Sequence, residues 1–90
     1  LCHPSLANDK LSGVVVAARL AARLAQLPKR RLSYRFLFLP ETIGAIAWLG
    51  AHRTEASRIA HGLVATCLGD RGPFTYKRSR QGGALIDRVV

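Results

Sequence analysis

Between Leu11 and Gln26 the chain carries four polar side chains, Ser12, Arg19, Arg23 and Gln26, and they share one narrow stripe. Leu11, Val14, Val15, Ala18, Ala21, Ala22 and Ala25 recur at helical spacing, while Val16, Ala17, Leu20, Leu24 and Leu27 cover most of the remaining surface. A helix over 11–26 is predicted, largely buried, packed against a sheet and ended by Pro28. Gly13, near its start, predicts close approach of the helix backbone to the preceding loop.

Such a helix requires something apolar to pack on, and two runs offer it. Tyr34 to Leu39 is aromatic and apolar on both faces apart from Arg35, and Leu63 to Leu68 is a second such run. Both predict interior strands, parallel because neither alternates cleanly. Pro40 stops the first, and a helical pattern resumes from Thr42 to Leu49. Residues 50–58 predict a helix end, a turn and a short helical piece. Phe74 to Arg78 reads as a short edge strand, Gln81-Gly82-Gly83 as a break, and Ala84 to Val90 as the start of a further helix. The predicted architecture is α/β, with a mixed or parallel sheet flanked by helices. A right-handed crossover would then put Glu41 and Asp70 on the same sheet edge, facing the ligand crevice.

Ninety residues make one domain at most, and a domain of this size buries only about 60 to 65% of its unfolded surface. The chain contains no Met and begins at Leu1, so residues 1–90 are expected to be a piece of a larger domain, incomplete at both ends. No apolar run approaches the length of a membrane span and no signal-peptide pattern opens the chain, so no membrane association is expected. Two cysteines are too few for a disulfide scaffold, which favours a cytoplasmic setting with Cys67 as a small core residue. Fourteen basic residues against five acidic ones give a formal charge of +9, which by itself suggests an anionic partner. The charge is scattered, however. Lys29-Arg30-Arg31 is a short turn, Arg19 and Arg23 mark a helix stripe, and Tyr76-Lys77-Arg78-Ser79-Arg80 is the basic run that includes an aromatic, so a nucleic-acid partner is not favoured.

His3 and Asp9 stand six positions apart in a stretch rich in Pro, Ser and Asn that reads as a loop feeding the long helix. Imidazole and carboxylate are good zinc ligands, but a pair like this, read alone, is more often a turn or helix-capping device. Glu41 and Asp70, just beyond the two predicted strands, have equally plain readings as a helix cap and a turn. His52 and His61 have no ligand spacing and read as surface or capping residues.

The whole string carries more information. Cys2-His3-Pro4-Ser5-Leu6-Ala7-Asn8-Asp9, followed by Ser12-Gly13, resembles the first metal motif of co-catalytic zinc aminopeptidases and, more closely, a bacterial family of aminopeptidase-like proteins within that clan. Pro40-Glu41-Thr42-Ile43-Gly44 and Leu68-Gly69-Asp70 resemble that family's later motifs in the same order, and Tyr76-Lys77-Arg78-Ser79-Arg80 also recurs there. The resemblance implies part of a zinc-exopeptidase-like three-layer fold binding one or two zinc ions. It implies His3 as a terminal ligand, Asp9 as a bridging ligand, Asp70 as a further ligand and Glu41 as general base, acting on a peptide or amide substrate. It also implies a cis peptide bond at Asp9-Lys10. The clan's second acid is replaced here by Thr42, a poor zinc ligand, and its last His has no counterpart within residues 1–90. The 90-residue piece is therefore expected to be inactive alone. The alternatives are a metal-poor relative that keeps the cleft for binding, and a basic nucleic-acid module.

Overall fold

Helix α1 (Ala7–Ala25) dominates the computed structural model, which describes His3 and residues 6–90; α2 (Ile43–Ala51), α3 (Arg53–Ala56) and α4 (Ile86–Val89) follow. Alanine and leucine give α1 high intrinsic propensity, and Asp9 in its first turn and Arg23 in its last suit the helix dipole. At its end the amides of Gln26 and Leu27 bond the carbonyls of Arg23 and Leu24, and Arg30 Nη1 donates to Leu24 O at 2.9 Å. The chain then leaves the helix before Pro28. The helix starts four residues earlier than its apolar pattern indicates, so Asn8 and Asp9 are helical and not part of a loop. Asp9-Lys10 is correspondingly trans, since no cis peptide bond occurs among the described residues.

α2 is entered through a tight reversal. Ile43 N–H bonds Glu41 O at 2.5 Å across Thr42, whose φ of 52° and ψ of −67° define a γ-turn of the strained, positive-φ kind. Gly44 is buried in the same corner, where a Cβ would lie 2.8 Å from Pro40 Cδ and 2.9 Å from Leu39 Cβ. His52 closes α2 and opens α3, as its capping reading predicted: its amide and Nδ1 both reach Trp48 O, the latter at 2.9 Å, and its ring stacks on Trp48 with centroids 4.9 Å apart. Arg35 lies 5.6 Å over the Trp48 ring and pairs with Glu55, tying the 34–39 segment to both helices. That hydrogen bond and the guanidinium charge lower the Glu55 pKa.

The predicted sheet is absent. Among the described residues there is no strand, and no backbone hydrogen bond joins 34–39, 63–68 or 74–78 to another segment. An apolar run becomes a strand only through a ladder with a neighbour, and these runs find none. The α/β, three-layer expectation is therefore overturned, and with it the crossover that would have placed Glu41 and Asp70 on one sheet edge. The described residues are helical and irregular.

Without a sheet, α1 has nothing broad to pack on. Gly13 and Gly44 are the buried positions among the described residues, and no hydrophobic side chain there is buried. Val64 and Phe74 are 87% and 84% exposed. The expectation of a largely buried helix fails for the same reason. The radius of gyration is 14.4 Å, against about 12 Å for a compact domain of this length. No helix among the described residues is long and apolar enough to cross a membrane.

At the C-terminal end the Asp87 carboxylate closes a loop. One oxygen accepts from Tyr76 OH at 2.9 Å and Ser79 N at 2.8 Å, the other from Ser79 Oγ at 2.5 Å and Ala84 N at 3.0 Å. The Ser79 hydroxyl and amide bonds lead in lowering its pKa from 3.8 to about 2.

Two outcomes are expected. Isolated residues 1–90 should bind the dye ANS strongly and melt without a sharp calorimetric transition, since so much apolar surface remains in water; a cooperative melt without dye binding would contradict this. The Asp87 loop, stabilised by a depressed carboxylate pKa, should be fully formed above pH 3.8 and lost only as the pH falls through about 2. The Ser79 amide proton shift, followed by NMR through an acid titration, checks it.

Candidate functional site

The first two turns of α1 form a docking face for residues 65–69. Asn8 and Ser12, one turn apart, point the same way. Asn8 Oδ1 accepts Gly69 N–H at 2.5 Å, and Ser12 Oγ accepts Leu68 N–H at 2.9 Å while donating to Asn8 O at 2.6 Å. Thr66 Oγ1 adds a bond to Asp9 O at 2.7 Å. Helix side chains thus satisfy the backbone of the 65–69 run where a neighbouring strand was expected to. Gly13 makes this possible: a Cβ there would lie 2.2 Å from Ala65 O.

The same turn carries the candidate site. His3 Nδ1 lies 3.1 Å from Asp9 Oδ2, and Lys10 Nζ is 3.8 Å from that oxygen. The Asp9 side chain is 16% exposed and that of His3 57%, so a sheltered carboxylate meets an open imidazole. Cys67 Sγ stands 4.0 Å from Asp9 Oδ1 and 3.7 Å from Thr66 Oγ1. Cys67 is exposed and adopts φ 51°, so it is not the small core residue its apolar surroundings suggested.

Asp70 directly follows the docked Gly69, and its Oδ1 accepts Gly72 N–H at 2.7 Å, the turn-making role open to it from sequence. Glu41 stands in the γ-turn leading into α2. Of the four residues singled out from sequence, His3 and Asp9 are brought together, and Asp70 lies on the segment pinned beside them. Among the described residues no three His, Cys, Asp or Glu side chains are grouped to hold a metal ion. The Cys2 and Pro4-Ser5 parts of the first motif fall outside the described residues.

Two donors on a tetrahedral zinc lie about 3.4 Å apart, given bonds of about 2.0 to 2.2 Å, so the His3 and Asp9 atoms fit one edge of such an ion. They are two donors of the four a zinc takes. Sequence reasoning missed Asn8, Ser12 and Thr66. The i, i+4 pairing of Asn8 and Ser12 was available as a signal, but Asn8 fell in the stretch read as loop and Ser12 in the polar stripe of the helix predicted over 11–26.

Gly13→Ala should force α1 away from Ala65 and expose the Leu68 and Gly69 amides to hydrogen exchange. Ser12→Ala, which leaves the half-buried Leu68 N–H without its acceptor, should cost the docking about 1 to 3 kcal/mol. Unchanged protection at both amides in both variants would contradict the docking geometry.

No solved structure matches the chain. A Clostridium acetobutylicum protein, named as a polysaccharide biosynthesis protein with an aminopeptidase-like domain, is 52% identical over 89 residues, 99% of this chain. The chain spans 20% of that relative's length. Across residues 1–90 it matches the model of the family described as a domain of unknown function (DUF4910), and it belongs to that family.

Proposed function

We propose that residues 1–90 contribute part of the active site of a zinc-dependent, aminopeptidase-like hydrolase that cleaves a peptide or amide bond. The observation that carries this reading is the His3–Asp9 pair at 3.1 Å on the first turn of α1, with the Asp70 segment pinned to the same turn. The aminopeptidase-like domain in the name of the Clostridium relative supports it. In this reading His3 and Asp9 hold zinc, Asp70 supplies a further carboxylate, and Glu41 accepts a proton from the attacking water. Bound zinc would bring that water's pKa to about 7. Lys10 Nζ, 3.8 Å from Asp9 Oδ2, stands at the edge of this pair. The polysaccharide wording in the relative's name points to an amide carried by a glycan precursor as substrate for the whole protein.

A second reading, binding without hydrolysis by a metal-poor relative, is favoured by Thr42 in place of an acid. Zinc titration and an aminoacyl-amide assay separate the two. The full-length protein should bind zinc and turn over the amide, Asp9→Asn should lose both, and Glu41→Gln should keep zinc but lose at least about a hundredfold in rate. Full activity in Glu41→Gln would remove its role as base. Absence of zinc binding by the unsubstituted full-length protein would leave the binding-only reading. The isolated piece should not turn over.

A further inference from the structure

We propose that the loop from Tyr76 to Asp87 binds a phosphate group carried by a small molecule. Lys77, Arg78 and Arg80 place three cations within four residues, all exposed. The nearby acid that could neutralise them, Asp87, is occupied instead by four neutral donors: the Tyr76 and Ser79 hydroxyls and the Ser79 and Ala84 amides. No ion pair within the described residues involves Lys77, Arg78 or Arg80. The Asp87 bonds, with Gly82 N–H to Ser79 O at 2.9 Å, fix the loop's course, and the three cations outweigh the single carboxylate charge within it. A carboxylate that fastens a loop through hydroxyls and amides orders the backbone that carries these cations, which lowers the ordering cost of binding.

Phosphate suits this loop better than a carboxylate. A phosphomonoester carries about −1.5 to −2 charge at pH 7 and three strong acceptor oxygens, against one charge and two oxygens for a carboxylate. Guanidinium groups match phosphate geometry through paired N–H donors. The loop also continues from one wall of a groove lined by Thr66, Cys67, Leu68, Asp70, Pro73 and Phe74, with Cys67 beside Asp9. A molecule held at its phosphate by the loop would extend into that groove toward Asp9. This last step alone rests on the hydrolase reading; phosphate binding does not.

The test is NMR titration of the full-length, zinc-free protein with inorganic phosphate and, separately, with glycerol phosphate. Saturable shifts at the amides of residues 77–81 are expected with both probes. Arg78→Ala/Arg80→Ala should weaken binding at least about tenfold, and Asp87→Asn should weaken it through loss of loop order. Arg19→Ala/Arg23→Ala, which removes the same charge from α1, should leave it unchanged. Equal weakening by the α1 pair would overturn the proposal, as would shifts that never saturate or that sulfate and chloride reproduce equally. Tighter, steeply salt-dependent binding to duplex DNA would assign the loop to nucleic acid instead. Because zinc and turnover play no part in the readout, failure here leaves the hydrolase reading standing, and failure of that reading leaves this one.

Discussion

The docking of residues 65–69 onto the first two turns of α1 is the interaction on which the rest of the arrangement depends. It is made by hydrogen bonds and close backbone approach, with no buried apolar side chain among the described residues. Gly13 sets the distance, and Asn8 and Ser12 set the register by accepting the Gly69 and Leu68 amides. Everything of chemical interest at this end of the molecule follows from that register: Asp9 is presented one position beyond Asn8, Cys67 comes within 4.0 Å of it, and Asp70 begins one residue past the last docked amide. Because each such bond contributes only about 0.5 to 1.5 kcal/mol net, the docking is specific in direction and weak in total.

That weakness has a visible cause in the distribution of apolar surface. Nearly half of the residues are hydrophobic, yet the 34–39 and 63–68 runs are exposed apart from the half-buried Phe36 and Leu68, and α1 buries Gly13 alone. The hydrophobic effect stabilises in proportion to area removed from water, and here little is removed. Local devices therefore hold the remaining segments: the Arg35–Glu55 pair with the Trp48–His52 stack at one place, and the four-bonded Asp87 at another. Each orders its own neighbourhood without drawing on a shared interior.

Where structure depends on nearby residues, it was legible in the sequence. Ile43 to Ala51 and Arg53 to Ala56 are helical as the patterns after Pro40 and Gly50 indicated, Ile86 to Val89 falls within the predicted last helix, and His52 caps. Where structure depends on distant partners, it was not. Tyr34 to Leu39 and Leu63 to Leu68 have strand composition, but composition does not supply the neighbour that makes a ladder. The start of α1 was misread for a different reason: Asn8 and Asp9 favour caps and turns in isolation, whereas here Asn8 bonds the Gly69 amide and so gains from being helical. Of the site, the nearness of His3 and Asp9 was legible through a motif, while the segment that meets them was legible only as a run ending in Asp70.

Backbone strain is confined to two turns among the described residues. Among the described residues Thr42 and Cys67 are the non-glycine positions with positive φ, at 52° and 51°. For β-branched Thr42 this is a true outlier, and each such residue costs about 1 to 3 kcal/mol. A chain with no buried hydrophobic side chain among its described residues has little surplus to offset such costs. Both nevertheless fall on the two segments that sequence motifs had marked: Thr42 directly after Glu41, and Cys67 against Asp9 and three residues before Asp70. Relief was chemically simple at either position, since glycine or asparagine adopts positive φ more readily. Thr42 and Cys67 stand there instead, each at a cost to stability that the local turn must offset.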